Sequence, residues 1–378
     1  MDKKSVCVLC ATYNQAKYIG KALDSILCQR TNFPFEILVH DDASRDGTRD
    51  ILKEYEKKYP QKIRLLLEDE NQFSKGVDFW TKNINEIIKY KYICHCEGDD
   101  FWLDADKLQL QYDVLENNEL CDMVACRTVM VAENGETEVG EIRPKNCDGI
   151  LTVEETVLGG GMFLGTNSLF YRSRMMIERK KFEINRFLDY SLQIRGALRG
   201  GIYYIDRRMA AYRRYSDGSW TNALFDNSDR LKEQCETERN MLKLLDLETD
   251  GKYHATILKR LGDYEISFFE QLCEHRKDIT DMVDNFGNCK IFLWGMGRRG
   301  NAFEKFLNAE KIEIEGVCDI TNQNIGEKTV YGNLIFDIED AENIADVIMT
   351  STTRAFDSLN KKDGNYTLID LQKYMMRE

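Results

Sequence analysis

The chain has 378 residues, of which 43% are hydrophobic and 31% charged, and a formal net charge of -13. That length exceeds one ordinary core and points to two or three domains at about 150 residues each, while the balanced composition and only three prolines exclude long disorder. The acidic excess works against a broad nucleic-acid-binding face, which needs clustered Lys and Arg, so no nucleic-acid partner is expected.

Met1-Asp2-Lys3-Lys4 leads into a short apolar run, Val6 to Ala11. The run is shorter than the core of most signal peptides and is broken by Thr12-Tyr13-Asn14, so a cytoplasmic location is expected. No stretch of about 18 apolar residues could span a bilayer; peripheral attachment at the inner face of a membrane stays open. Among the twelve cysteines, Cys7 and Cys10 have CxxC spacing. On a strand, residues i and i+3 point to opposite faces, which spoils chelation, and the pair reads as core. Cys94 and Cys96 share a face that His95 does not, and they also read as core.

The pattern over the first 120 or so residues alternates strand and helix, calling for an α/β fold with a mostly parallel sheet. Val6 to Ala11 is the first strand. Helical spacing of Tyr18, Ile19, Ala22, Leu23, Ile26 and Leu27 follows, with Asn14 as a capping-type residue before it. Phe35 to His40 is the second strand, Asp46-Gly47-Thr48 opens a helix bearing Ile51, Leu52 and Tyr55, and Ile63 to Leu67 is the third strand. A helix over Phe79 to Tyr90 returns the chain to a fourth strand, Tyr92 to Cys96. Beyond it, strands are expected near Met123 to Val131, Thr166 to Tyr171, Ile202 to Ile205 and Met209 to Arg213, with a helix near Phe187 to Leu198. These extend the sheet as a mixed one. The resulting division is residues 1–224 as a nucleotide-binding α/β domain, 225–285 as a helical connector and 286–378 as a small Rossmann-like domain.

Polar clusters follow strands one, two and four, at the carboxyl edge where open α/β sheets bind ligands. Glu97-Gly98-Asp99-Asp100 places three carboxylates together before Phe101-Trp102. Like charges so close need a cation, which suits a hard divalent metal. A solvated acidic turn is the bland alternative.

Three segments in order, Ala11-Thr12-Tyr13-Asn14, Asp41 to Thr48 and Glu97 to Trp102, resemble the signature of inverting family-two glycosyltransferases with the GT-A fold. The resemblance covers roughly residues 3 to 220. It implies transfer of a sugar from a nucleotide-sugar donor, a UDP-sugar first, to a hydroxyl of a glycan, lipid-linked or protein acceptor in polysaccharide biosynthesis. It implies that Thr12, Tyr13, Asn14 and Asp42 hold the nucleoside, that Lys75 in the Glu70 to Gly76 loop and Arg213 meet the diphosphate, and that Asp99 and Asp100 bind a Mn2+ or Mg2+ ion and the donor. Glu97 stands where the family more often has aspartate. Asn185 to Tyr190 resembles the segment that supplies the catalytic base, which falls on Asp189. Where Tyr215 stands, the family often has histidine. Gly165-Thr166-Asn167-Ser168 is either an acceptor-side segment or a turn into a core strand.

Near the C-terminus, Lys290 to Trp294 reads as a strand followed by Gly295-Met296-Gly297-Arg298-Arg299-Gly300, a helix, and a second strand ending at Asp319. This is a dinucleotide fingerprint in the expected setting, with Gly295, Gly297, Gly300 and Asp319 as its binding residues. The remaining ~60 residues are too few for a substrate domain. The segment resembles Rossmann-like tails of bacterial polysaccharide enzymes, with nucleotide binding and partner docking as alternatives. A catalytically inactive nucleotide-sugar or dinucleotide-binding regulator is the competing functional reading, and homo-oligomerisation stays open.

Overall fold

The computed structural model describes residues 4–183, 189–214, 228–265, 268–295, 298–318, 325–351, 356, 359 and 365–371. Two compact units emerge, Met1–Leu261 and Gly262–Glu378.

In the first unit the chain runs β1 (Lys4–Thr12), α1 (Ile19–Leu27), β2 (Phe35–Asp41), α2 (Thr48–Lys58), β3 (Ile63–Leu67), two single-turn helices α3 (Phe79–Lys82) and α4 (Ile84–Ile87), and β4 (Tyr90–His95). Next come β5 (Phe101–Trp102), α5 (Lys107–Asn117), β6 (Met123–Val131), β7 (Glu138–Ile142), β8 (Gly149–Leu151), α6 (Val153–Gly159) and β9 (Phe170–Arg172). The unit continues through α7 (Arg174–Ile177), α8 (Asp189–Ala197), β10 (Ile202–Arg213), α9 (Ser228–Glu248) and the start of α10 (His254–Glu265). The strands form one sheet in the order β3-β2-β1-β4-β9-β6-β10-β5, with β7 on β6 and β8 on β10.

The half from β3 to β4 is parallel, whereas β9 is antiparallel to both β4 and β6. The sheet is therefore mixed, as the sequence predicts. Val6 to Cys10 are buried because β1 lies between two parallel neighbours with helices over the faces. Val6, Val8 and Cys10 enter one core with Ile19, Leu23 and Ile26 of α1. Cys7 is buried outside that cluster, as strand alternation requires.

Some expected elements differ. Asn14 does not cap α1; the helix begins at Ile19 after Tyr18, and Asn14 has a left-handed backbone, φ 51°. The expected Phe79 to Tyr90 helix is two single turns, and Tyr90 already belongs to β4. The two strands expected between Ile202 and Arg213 are one, β10, with register shifts around Arg208. Thr166–Ser168 forms a 3-10 turn before β9.

The second unit takes up the end of α10, then α11 (Phe268–Glu274), α12 (Arg276–Asp284), β11 (Ile291–Trp294), α13 (Arg298–Ala309), β12 (Gly316–Cys318), β13 (Ile335–Phe336), α14 (Ile338–Ile344), β14 (Val347–Thr350) and β15 (Thr367–Asp370). Its sheet is parallel in the order β13-β12-β11-β14-β15. The strand order reverses between β11 and β14, the topological switch point of a doubly wound sheet.

Candidate active site

The floor of the site forms where β1 and β4 end. Thr12, the last residue of β1, pairs with Asp41, and the Gly98 N–H donates to Ala11 O at 2.9 Å. Gly98 lies so close to the β1 loop that an added Cβ would stand 2.5 Å from Gln15 Oε1 and 2.7 Å from Thr12 Oγ1. Both of those oxygens are buried with no hydrogen-bond partner among the described residues. A hydroxyl and an amide oxygen thus keep unused hydrogen-bonding capacity where the two loops meet. Tyr13 beside them is 45% exposed.

The turn after β1 is bound to the turn after β2. The Asn14 N–H donates to Ser44 Oγ, Gln15 N–H to Thr48 Oγ1 and Ala16 N–H to Asp46 Oδ2, each at 2.9 Å. Asn14 Oδ1 accepts from the Arg45 N–H at 2.8 Å. Beside this junction lies a cavity of about 410 Å³ lined by Asn14, Lys17, Tyr18, Arg45 and Asp46.

The two adjacent aspartates differ in use. Asp41 is buried and accepts from Arg49 Nε at 2.6 Å and from the Ser44 N–H at 3.1 Å, which shapes the turn containing left-handed Ala43. Asp42 accepts from the N–H groups of Gln72 at 2.6 Å and Phe73 at 3.1 Å, holding the Glu70 to Gly76 loop against β2. In that loop Lys75 is exposed and paired with Glu70.

In the acidic motif, Glu97 and Asp99 are half-buried and Asp100 is buried. Burial, with Asp189 and Asp99 nearby, pushes the Glu97 carboxyl up to about 8. Burial and then Asp99 and Glu97 raise Asp100 well above the carboxylate range. Asp100 Oδ1 accepts from the Arg213 N–H at 2.9 Å and Oδ2 from Asn167 Nδ2 at 2.8 Å. Asp189 opens α8, and its Oδ2 accepts from Thr166 Oγ1 at 2.5 Å. Burial raises Asp189 above the usual range, and the Thr166 hydroxyl opposes that. The acids of the motif and Asp189 thus share one electrostatic neighbourhood at the sheet rim.

Arg213 ends β10 and is buried. Its Nε donates to Asp99 O at 2.8 Å and its Nη1 to Glu133 O, while the guanidinium lies 4.6 Å from the Tyr18 ring centroid and 5.6 Å from that of Phe101. It therefore braces the acidic loop against the turn between β6 and β7. Tyr18 and Glu133, joined at 2.8 Å, belong to the same brace; the sequence placed Tyr18 only on the apolar stripe of a helix and gave no sign of Glu133. Asn134-Gly135, a hairpin signal, was the feature that could have placed that turn.

In the second unit Gly295 has φ 100°, and a Cβ on Gly300 would fall 1.6 Å from Gly295 O. Helix α13 can approach the end of β11 so closely only because residue 300 has no side chain. Gly297 and Asp319, like Asn185 to Leu188 and Tyr215 to Trp220, lie outside the described residues. Among the described residues no three His, Cys, Asp or Glu side chains form a ready cage for a metal ion, and no helix is long and apolar enough to cross a membrane.

A mixed sheet whose parallel half ends in an acidic rim, with a further carboxylate supplied beside it by the first turn of helix α8, is the framework of a GT-A transferase. The sequence pattern of glycosyl transferase family 2 matches residues 7–217, and the chain belongs to that family. An uncharacterized protein of Mycobacterium tuberculosis is 32% identical over 219 residues, 58% of this chain and 61% of its own length. The match thus spans about three fifths of that relative. TuaG of Bacillus subtilis, a glycosyltransferase named for teichuronic acid biosynthesis, is 33% identical over 113 residues, 30% of this chain and 42% of TuaG. The dTDP-rhamnosyl transferase RfbG of Shigella flexneri is 33% identical over 114 residues, 29% of this chain and 38% of RfbG.

Proposed function

We propose that the protein is an inverting glycosyltransferase that carries a sugar from a nucleoside-diphosphate donor, a UDP-sugar first, to a hydroxyl in surface-polysaccharide assembly. The observation that carries this reading is the placement of Asp189, raised by burial and held by Thr166, within the field of Glu97 at the acidic rim. The names of TuaG and RfbG favour a polysaccharide product and a nucleotide-linked donor.

In this mechanism Asp189 takes the proton of the acceptor hydroxyl as its oxygen bonds to the anomeric carbon, and the bond to the nucleoside diphosphate breaks on the opposite face. A base raised by burial holds that proton more readily at neutral pH. Thr12, Tyr13, Asn14 and Asp42 frame the nucleoside, with the Thr12 oxygen at the floor. Lys75, on the loop that Asp42 anchors, serves the diphosphate. Arg213 sets the height of Asp99 through its carbonyl.

The donor set fits a divalent cation: burial raises Glu97 and Asp100, and the neighbouring carboxylates add a repulsion that such an ion would relieve. Asp99 and Asp100 would hold it. When bound it would neutralise charge on the departing diphosphate. In the C-terminal unit, the tight approach of Gly300 to Gly295 supports a dinucleotide site at the switch point.

A screen of UDP-, dTDP- and GDP-sugars with Mn2+, Mg2+ or chelator, scoring hydrolysis and transfer, tests the reading. Cation-dependent turnover of a UDP-sugar is expected. Asp189→Asn should abolish transfer yet still bind donor; near-normal transfer by this variant would remove Asp189 from the mechanism.

A further inference from the structure

The base and the acidic motif are both reached from one short turn. Thr166 Oγ1 bonds Asp189 Oδ2 at 2.5 Å, and the next residue, Asn167, donates from Nδ2 to Asp100 Oδ2 at 2.8 Å and to Ala211 O at 2.9 Å. Asn167 and Ser168 are fully buried. Beneath them the carbonyls of the turn are clamped. Trp102 Nε1 donates to Asn167 O at 3.1 Å, and Gln111 Nε2 donates to Ser168 O at 2.7 Å. Lys107 Nζ donates to Gln111 Oε1 at 2.8 Å, which fixes the end of the amide that faces the turn. The Ser168 hydroxyl closes the turn on Gly165 O at 2.7 Å.

We propose that Thr166 and Asn167 are positioning residues: one rigid turn registers the base Asp189 against the acid Asp100, so the proton acceptor and the donor-holding motif move as a single body. This inference rests on reading Asp189 as the base. Its physical ground is that an ångström of misplacement between reacting groups lowers rate by up to about 100-fold. A carboxylate on the first turn of a helix keeps free rotamers unless a neighbour holds it. The Thr166 hydroxyl does so, and by donating it favours the charged base against burial. Among the described residues, the titratable groups that feel Asp189 are Glu97, after β4, and Tyr171, on β9.

The test compares Thr166→Val, of equal shape without the donor, with Thr166→Ser, which keeps it. Thr166 is half-buried, so both should fold. Profiles of kcat against pH at saturating donor are measured for each. In Thr166→Val the acidic limb should move up by about one pH unit, the size expected for one lost bond to a charged group, with donor KM little changed. Thr166→Ser should restore the limb. Asn167→Ala should lower kcat about tenfold or more at every pH without moving the limb. An unmoved limb in Thr166→Val, or an unchanged kcat in a folded Asn167→Ala, overturns the inference. If that happens while Asp189→Asn is inert, the reading of Asp189 stands and only the turn loses its role; if Asp189→Asn still transfers sugar, both fall.

Discussion

A methyl group at Gly98 would meet Thr12 Oγ1 at 2.7 Å and Thr12 Cβ at 2.9 Å, and Thr12 cannot retreat because its strand pairs with Asp41. Gly98→Ala should therefore lift the acidic loop off β1, lowering stability by about 1–3 kcal/mol and weakening nucleotide-sugar binding. Denaturant unfolding and calorimetric titration read the two effects, and a variant that titrates donor like the parent would mean the loop has slack. At this scale the sequence disclosed that Glu97, Asp99 and Asp100 crowd together, because they are neighbours after one strand, whereas Asp189, on the first turn of a helix, was suggested only by the family resemblance. How each acid is used was hidden. Nothing in Asp41-Asp42 distinguishes the aspartate that shapes its own turn from the one that grips the Gln72 and Phe73 N–H groups. Arg213 was equally opaque: a guanidinium suits phosphate, yet it is the folded chain that presents the carbonyls of Asp99 and Glu133 to it.

Helix α5 links the residue scale to the sheet. Lys107 and Gln111 stand one turn apart on its buried face with Leu108 and Leu115, and the Lys107 ammonium lies 4.2 Å from the Trp102 ring centroid. Replacing a buried charge with an apolar side chain of similar volume is often neutral or stabilising, whereas Gln111 would lose the partner that orients its amide. Lys107→Met is thus expected to unfold at no lower denaturant concentration than the parent while kcat falls about tenfold. A large loss of stability with kcat retained would instead make Lys107 a structural residue alone. Helix α5 escaped the periodicity argument because polar residues occupy core positions, which only the clamp on the turn explains. Strands β5 and β8 were too short to show alternation. The capping box of α6, Thr152 with Glu155, was by contrast present in the sequence and is formed in the structure. Strands β1, β2, β3 and β6 were legible because each carries an unbroken apolar stretch, residues 6–11, 37–39, 65–67 and 123–126.

Across the whole chain, each compact unit carries a core of its own: the cluster around β1, β2 and β4 in the first, and those of Leu293, Phe303 and Met349 and of Phe292, Trp294 and Ile348 in the second. The two sheets were foreseeable because strand-helix alternation begins twice, at Val6 and again at Ile291, whereas the helical stretch between them carries no strand punctuation that would divide it. A ligand that binds only the folded form of one unit stabilises that unit, by about 2.7 kcal/mol at 100 times its dissociation constant. A UDP-sugar with Mn2+ should therefore raise the heat-unfolding transition of Met1–Leu261, and NAD(H) that of Gly262–Glu378. Calorimetric scans of the full chain with each ligand, against scans of a chain ending after Glu265, assign the transitions. NAD(H) that moves no transition would leave Gly300 as a packing device, serving only the close approach of helix α13 to the Gly295 carbonyl.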